Sequence, residues 1–156
     1  MLLYLAKYSR PDIANTVREL AKGMQGPTPN AFKQMKRVLK FVIDTKDYGL
    51  RMEPKLEQEA IWDMKVYTDS DWAGDKDTRK SVSGYVLYLA NCPICWKSRQ
   101  QKVISLSSSE AEIYACSDAV KEIKFTYQLL ETMGLKVKLP IVVCVDNVGA
   151  IFKLKM

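Results

Sequence analysis

The stretch that decides the fold is KVYTDSDWAGDKDTRKSVSGYVLYLA, residues 65–90. KVYTDSDW and SGYVLYLA are rich in β-branched and aromatic residues, and a polar loop separates them, so they predict two strands. Yet Asp69, Asp71, Asp75 and Asp77 crowd into nine positions, and two of them fall inside the first strand. Strands deplete aspartate, and burying a carboxylate without partners is costly. By the two-residue period, Asp69 shares a face with Tyr67 and Asp71. The strand therefore asks for an explanation beyond folding.

Downstream, ICWKS (94–98) predicts a third strand and SSSEAEIYACSDAVKEIKFTYQLLETMG (107–134) a long amphipathic helix. Ser107 and Glu110 stand at capping-box spacing, and Gly134 marks the helix end. Ala111, Ala115, Ala119, Ile123 and Leu130 supply its core face. IVVCV (141–145) is a continuous apolar run, which predicts a strand buried on both faces. DNVGAIF then begins another helix with Asp146 at its cap. The order is β-β-β-α-β-α, an α/β class with an α+β mixed sheet.

Upstream, residues 1–50 predict a helical segment, and 51–63 a linker with a short edge strand around Tyr48–Met52. Ser9 is the expected N-cap of a first helix bearing the stripe Ile13, Val17, Leu20, Ala21 and Met24. Thr28 and Pro29 start a second helix, with Phe32, Met35, Leu39 and Val42 on its apolar face. Lys33, Lys36, Arg37 and Lys40 form a cationic stripe beside them. Residues 1–50 carry nine Lys/Arg against four Asp/Glu, so most of the net charge of +6 sits there. A solvated face explains such a stripe by itself; a polyanion partner explains it equally well once other features point to nucleic acid.

Composition narrows the chemistry. With no histidine among 156 residues, Ser-His and Cys-His nucleophilic catalysis and the usual zinc hydrolases are excluded. The four cysteines include a CPIC pair at 92–95, but no second pair or histidine completes a zinc site, and reduced structural thiols are expected. The opening MLLYLAK is too short for a signal-peptide core or a membrane span, so an intracellular protein without a membrane partner is expected.

Three carboxylates occur where folding alone would not place them. Asp69 lies within a strand, Glu112 in the first turn of the long helix, and Asp146 between an apolar strand and a helix. Glu112 by itself could complement the helix dipole, and Asp146 could be a plain N-cap. Together, spaced across β, α and β elements, they point to the end of a sheet where α/β proteins build sites. Carboxylates gathered there repel one another unless cations hold them. Two Mg²⁺ ions clamped by such groups are the arrangement that hydrolyses phosphodiesters.

YTDSDWAGDKDTRKSVSGYV, ICWKSRQQKVISLSSSEAEIYA and VDNVGAI strongly resemble the ribonuclease H domain of copia-type (Pseudoviridae) retrotransposon Pol polyproteins. LLYLAKYSRPDIANTVRELAKGMQGPTPNAFKQMKRVLKF and TKDYGL resemble the end of the adjoining reverse transcriptase, its thumb-like helical region. The resemblance implies residues 1–50 as a thumb or connection-like segment, 51–63 as linker, and 64–156 as an RNase H-like domain, truncated at its C-terminus.

It further implies Asp69, Glu112 and Asp146 as catalytic metal ligands for two Mg²⁺ ions, with Mn²⁺ as the alternative, and Asp71 in a supporting position just outside them. Glu110 is left as the capping partner of Ser107, and Asp75 and Asp77 as loop residues. Lys33, Lys36, Arg37, Lys40, Lys97, Arg99 and Lys102 are implied phosphate contacts. The implied activity is cleavage of the RNA strand of RNA–DNA hybrids during reverse transcription, in the cytoplasm, within a virus-like particle, or in the nucleus. Its partners would be the hybrid and the remainder of the reverse transcriptase polyprotein. The family pattern has a fourth aspartate beyond the last residue here, so impaired hydrolysis is expected. The rival expectation is an inactive retroelement remnant that at most binds nucleic acid.

Overall fold

The computed structural model describes residues 1–55 and 61–154. The chain divides into two compact units, Met1–Arg51 and the residues from Met52 onward. Part of the expected linker, residues 56–60, lies outside the described residues.

The first unit is helical: α1 (Leu2–Tyr8), a 3-10 turn (Pro11–Ile13), α2 (Ala14–Lys22) and α3 (Pro29–Asp44). Helix α1 was not expected. Ser9 does not cap the following helix; it closes α1, where its hydroxyl donates to the Leu5 carbonyl at 3.4 Å. The 3-10 turn makes that cap unnecessary, because Pro11 has no N–H to satisfy. Thr28 caps α3 as expected, accepting from the Ala31 N–H at 3.1 Å.

Ala6, Ile13, Val17 and Val38 form the small core of this unit. Phe32, expected on the apolar face of α3, is instead exposed, and Val38 takes the central position. Arg10 ties the unit together from its buried position. Its guanidinium donates to both Asp12 carboxylate oxygens, Nε to Oδ1 at 3.0 Å and Nη2 to Oδ2 at 2.7 Å, and Nη2 also donates to Thr45 Oγ1 at 2.7 Å. The Arg10 guanidinium holds the Asp12 carboxyl below the usual carboxylate range. Residues 48–52 form no strand.

The second unit is built on a four-stranded mixed sheet of order β3-β2-β1-β4. Strands β1 (Met64–Asp71), β2 (Val82–Leu89) and β3 (Cys92–Gln100) are antiparallel neighbours; β4 (Val142–Val145) runs parallel to β1. Ala90 and Asn91, both at positive φ (47° and 68°), form the two-residue β2–β3 turn. Two successive positive φ values match the right-handed twist of the flanking strands.

Helix α4 (Ser108–Thr132) crosses from β3 to β4 and packs on the face carrying Met64, Val66, Tyr85, Leu87 and Leu89. Its caps follow the sequence closely. Ser107 Oγ accepts from the Glu110 N–H, while the Glu110 carboxylate accepts from the Leu106 N–H at 2.7 Å. At the other end Gly134, at φ 77°, lets Leu135 N–H reach the Leu130 carbonyl and its own N–H reach that of Glu131. These two bonds are a Schellman ending.

Strand β4 departs from expectation. It is an edge strand among the described residues, and Val142 is exposed rather than buried on both faces. An unbroken apolar run reads alike in a central or an edge strand, since neighbours are set by chain topology. Helix α5 (Val148–Leu154) follows. No helix among the described residues is long and apolar enough to cross a membrane.

Candidate metal centre

Asp69, Glu112 and Asp146 meet where β1, α4 and β4 come together. Each offers a carboxylate oxygen, and these oxygens all lie within 4.8 Å of one another. Asp69 comes from the C-terminal half of β1, and its neighbour Thr68 pairs with Val145, the residue before Asp146. The parallel pairing therefore carries the two aspartates to the same end of adjacent strands. Both are exposed, whereas Glu112 is only 4% exposed.

Glu112 lies just past the first turn of α4, not within it as expected; the acid of that turn is Glu110. It is therefore directed to the sheet as part of the buried face, and dipole complementation does not account for it. Ser70 fixes one of its oxygens: the backbone N–H and the hydroxyl of Ser70 donate to Oε1 at 3.0 and 2.7 Å. The other oxygen, Oε2, is buried without a hydrogen-bond partner among the described residues. Buried polar atoms are nearly always satisfied, so an orphaned carboxylate oxygen needs an explanation. Burial pushes the Glu112 carboxyl above its usual range; the Ser70 bonds pull it back, and the charges of Asp69 and Asp146 push it further up.

Asp146 is not the cap of α5. That task falls to Asn147, whose Oδ1 accepts from the Ala150 N–H at 2.9 Å and from the Ser109 hydroxyl at 3.1 Å. A Cβ on Gly149 would collide with that Ser109 hydroxyl, so glycine lets α5 start close against α4. With capping done by its neighbour, the Asp146 carboxylate faces the other two.

Asp71, expected nearby, is not in the cluster; its carboxylate lies over Gly74, where any Cβ would strike it. Asp75 is a loop residue, as expected, and it shapes the turn. Its Oδ1 accepts from the N–H groups of Asp77 and Thr78, and its Oδ2 accepts from the Gln100 amide at 2.7 Å. Asp77 is exposed.

The expected cationic residues fall into two groups. Lys33, Lys36, Arg37 and Lys40 are all exposed on α3, at spacings that set them on one side of the helix. Lys36 Nζ sits 4.7 Å from the Phe32 ring centre. Lys97 and Arg99 are exposed on β3, and Lys102 follows it.

Two supporting residues were not singled out in the sequence: Ser70, which holds Glu112, and Gln101. The buried Gln101 amide donates to Ser83 Oγ and to the Ala111 carbonyl, both at 2.9 Å, and its Oε1 accepts from Ser105 Oγ. It thus ties β2, the β3–α4 connection and the first turn of α4 together beside Glu112. A glutamine amide within a predicted loop gave no signal of this; Ser70, between Asp69 and Asp71, was signalled only by its position.

The donor set suits a hard cation. Three carboxylates, with neither histidine nor cysteine among them, match the oxygen preference of Mg²⁺ or Mn²⁺ and disfavour a zinc site. The unpartnered Glu112 Oε2 is the feature such an ion would satisfy. The four cysteines are free thiols, and none of them belongs to the cluster.

No family model matches the chain, and no solved structure does. The chain is 36% identical over 151 residues to the retrovirus-related Pol polyprotein from transposon RE1 of Arabidopsis thaliana, covering 97% of this chain and 10% of that protein. It is 33% identical over 150 residues to the corresponding polyprotein from transposon TNT 1-94 of Nicotiana tabacum, covering 96% of this chain and 11% of that one. It is also 36% identical over 121 residues to the secreted RxLR effector protein 161 of Plasmopara viticola, covering 78% of this chain and 82% of the effector. The chain thus spans about a tenth of the length of the curated Pol relatives it matches. Their alignments run through both the helical unit and the sheet unit, and on that ground the chain belongs to the copia-type retrotransposon Pol polyprotein family.

Proposed function

We propose that the sheet unit is a ribonuclease H, of RNase H-like fold, which cuts the RNA strand of RNA–DNA hybrids during reverse transcription. The observation that carries this reading is the convergence of Asp69, Glu112 and Asp146 from three elements, with Glu112 Oε2 buried and unpartnered. A mixed sheet with a helix crossing to the parallel strand supports it, as does membership of a retrotransposon Pol family.

Asp69, Glu112 and Asp146 would hold Mg²⁺ or Mn²⁺. Bound there, such ions supply a nucleophilic water at neutral pH and stabilise charge on the phosphate. The protein contributes order. Ser70 occupies Oε1 of Glu112 and leaves Oε2 for the site, Asn147 caps α5 and releases Asp146, and Gln101 fixes the start of α4. Glu112 faces the 2′-hydroxyl side of the substrate, the group that distinguishes RNA from DNA. Exposed Lys33, Lys36, Arg37, Lys40, Lys97, Arg99 and Lys102 contact phosphates. The remainder of the polyprotein is the working partner, in the cytoplasm or nucleus.

The test is cleavage of a labelled RNA–DNA hybrid by this chain and by a longer Pol chain containing it, with Mg²⁺ or Mn²⁺. The expected result is RNA-strand cleavage by the longer chain, abolished by Asp69→Asn and by Glu112→Gln. Cleavage that persists in Glu112→Gln, or an inactive longer chain, would overturn the assignment.

A further inference from the structure

On the flank of α4 away from Glu112, a cavity of about 260 Å³ opens between that helix and the end of β3. Arg99 and Lys102 line it from the β3 side; Tyr114, Ser117, Asp118 and Lys121 line it from α4. The α4 residues recur at spacings of three and four, which sets them along one side of the helix.

Three cations thus face one another across a cleft that holds a single carboxylate. That carboxylate, Asp118, is engaged with Lys121 Nζ at 3.0 Å, on the same helix and in solvent. Such exposed pairs contribute little and exchange readily for a stronger anion. Neither Arg99 nor Lys102 forms an ion pair with any described residue. The half-exposed Tyr114 and the Ser117 hydroxyl add neutral donors.

The wall of the cleft is also built. Gln101, between the two cations, is buried and bonded to Ser83, Ser105 and the Ala111 carbonyl. Arg99 and Lys102 are therefore held on a fixed edge rather than carried on a free loop.

We propose that this cleft is a second backbone-phosphate subsite for nucleic acid, reading a phosphate remote from the one at the carboxylates. The proposal rests on the ribonuclease reading for the identity of its ligand, a nucleic-acid duplex. Glu112 and Lys121 project about 180° apart around α4, and nine residues separate them along it, roughly 13 Å of rise. One phosphate cannot occupy both places, so a ligand that uses both must be a longer polyanion. The cleft then governs affinity and placement, whereas the carboxylates govern cleavage.

The experiment measures binding of an RNA–DNA hybrid in Ca²⁺ between 50 and 200 mM salt, for the wild type, Lys102→Gln/Lys121→Gln, and Lys124→Gln. Lys124 is exposed on α4 but does not line the cleft. Thermal melts establish that each variant folds. Each lost phosphate contact removes about 0.9 from the slope of log affinity against log salt. The double variant is expected to lose about 1–2 from the slope and to bind at least several-fold more weakly at low salt, with Lys124→Gln unchanged. An unchanged slope, or an equal loss in Lys124→Gln, would overturn the proposal. So would inorganic phosphate binding at the cleft with duplex affinity indifferent to the double substitution. Cleavage is scored separately, in the longer Pol chain: a reduced slope without any cleavage there sinks the ribonuclease reading and leaves the subsite standing.

Discussion

The two units bury their interiors by different means. The core of the sheet unit is a cluster of eight buried described residues that includes Met64, Val66 and Leu87, all three at 0% exposure, with one long helix laid across the strands. The helical unit buries four small or medium residues and leaves Leu3, Tyr4, Met24, Phe32, Phe41 and Ile43 exposed. Its most extensive single tie is polar, Arg10 binding Asp12 and Thr45. A short chain of helices cannot enclose much volume, so one well-bonded cation does work that side-chain packing does in the sheet. Mutations should therefore hurt the two units through different chemistry.

The largest effect belongs to the sheet core. Leu87→Ala should cost about 3–4 kcal/mol in urea unfolding followed by far-ultraviolet circular dichroism, as for a fully buried leucine in a packed site. Val38→Ala in the helical unit should cost clearly less, and equal losses would contradict the contrast.

Next comes Arg10→Ala, at about 2 kcal/mol, because it removes several charge-assisted bonds at once. Its pH dependence has a definite sign. The folded Asp12 pKa is lowered, so its contribution is present above the ordinary value of 3.8 and is lost as pH falls through the lowered one. Arg10→Ala should therefore be much less acid-sensitive than the wild type in that window.

At the carboxylates, Ser70→Ala should weaken Mn²⁺ affinity about 10- to 100-fold with little change in fold, since it frees the orientation of Glu112. Calorimetric titration measures it. The smallest effect has the opposite sign. The folded Glu112 pKa is raised, so its stabilising contribution is complete below the ordinary value of 4.5 and is lost as pH rises through the raised one. Without divalent cations at neutral pH, Glu112→Gln should raise the melting temperature by roughly 2–5 °C, a gap that closes in acid.

Much of the sheet unit was legible because its signals are local. Ser107, Glu110 and Gly134 bound α4 within a residue or two, and the polar loop separates β1 from β2. Helix α1 was missed because its N-cap, Met1, has no capping side chain. The edge position of β4 depends on strand order, which a five-residue apolar run does not encode. The three carboxylates could be chosen from their residue types and contexts. The Ser70–Glu112 bonds span 42 positions, however, and only the folded chain shows them. Asn147 illustrates the same limit at short range: DN offers two capping residues, and packing against Ser109 selects the second.

On the proposed reading Asp69, Glu112 and Asp146 form one cation site. A Mn²⁺ titration of the whole chain, read by electron paramagnetic resonance of the free ion, tests it most directly, with Asp69→Asn, Glu112→Gln, Asp146→Asn and Asp77→Asn beside the wild type. Each of the first three is expected to weaken binding at least tenfold, while Asp77→Asn binds as the wild type does. Binding that is indifferent to Glu112→Gln, or equally reduced by Asp77→Asn, would contradict it.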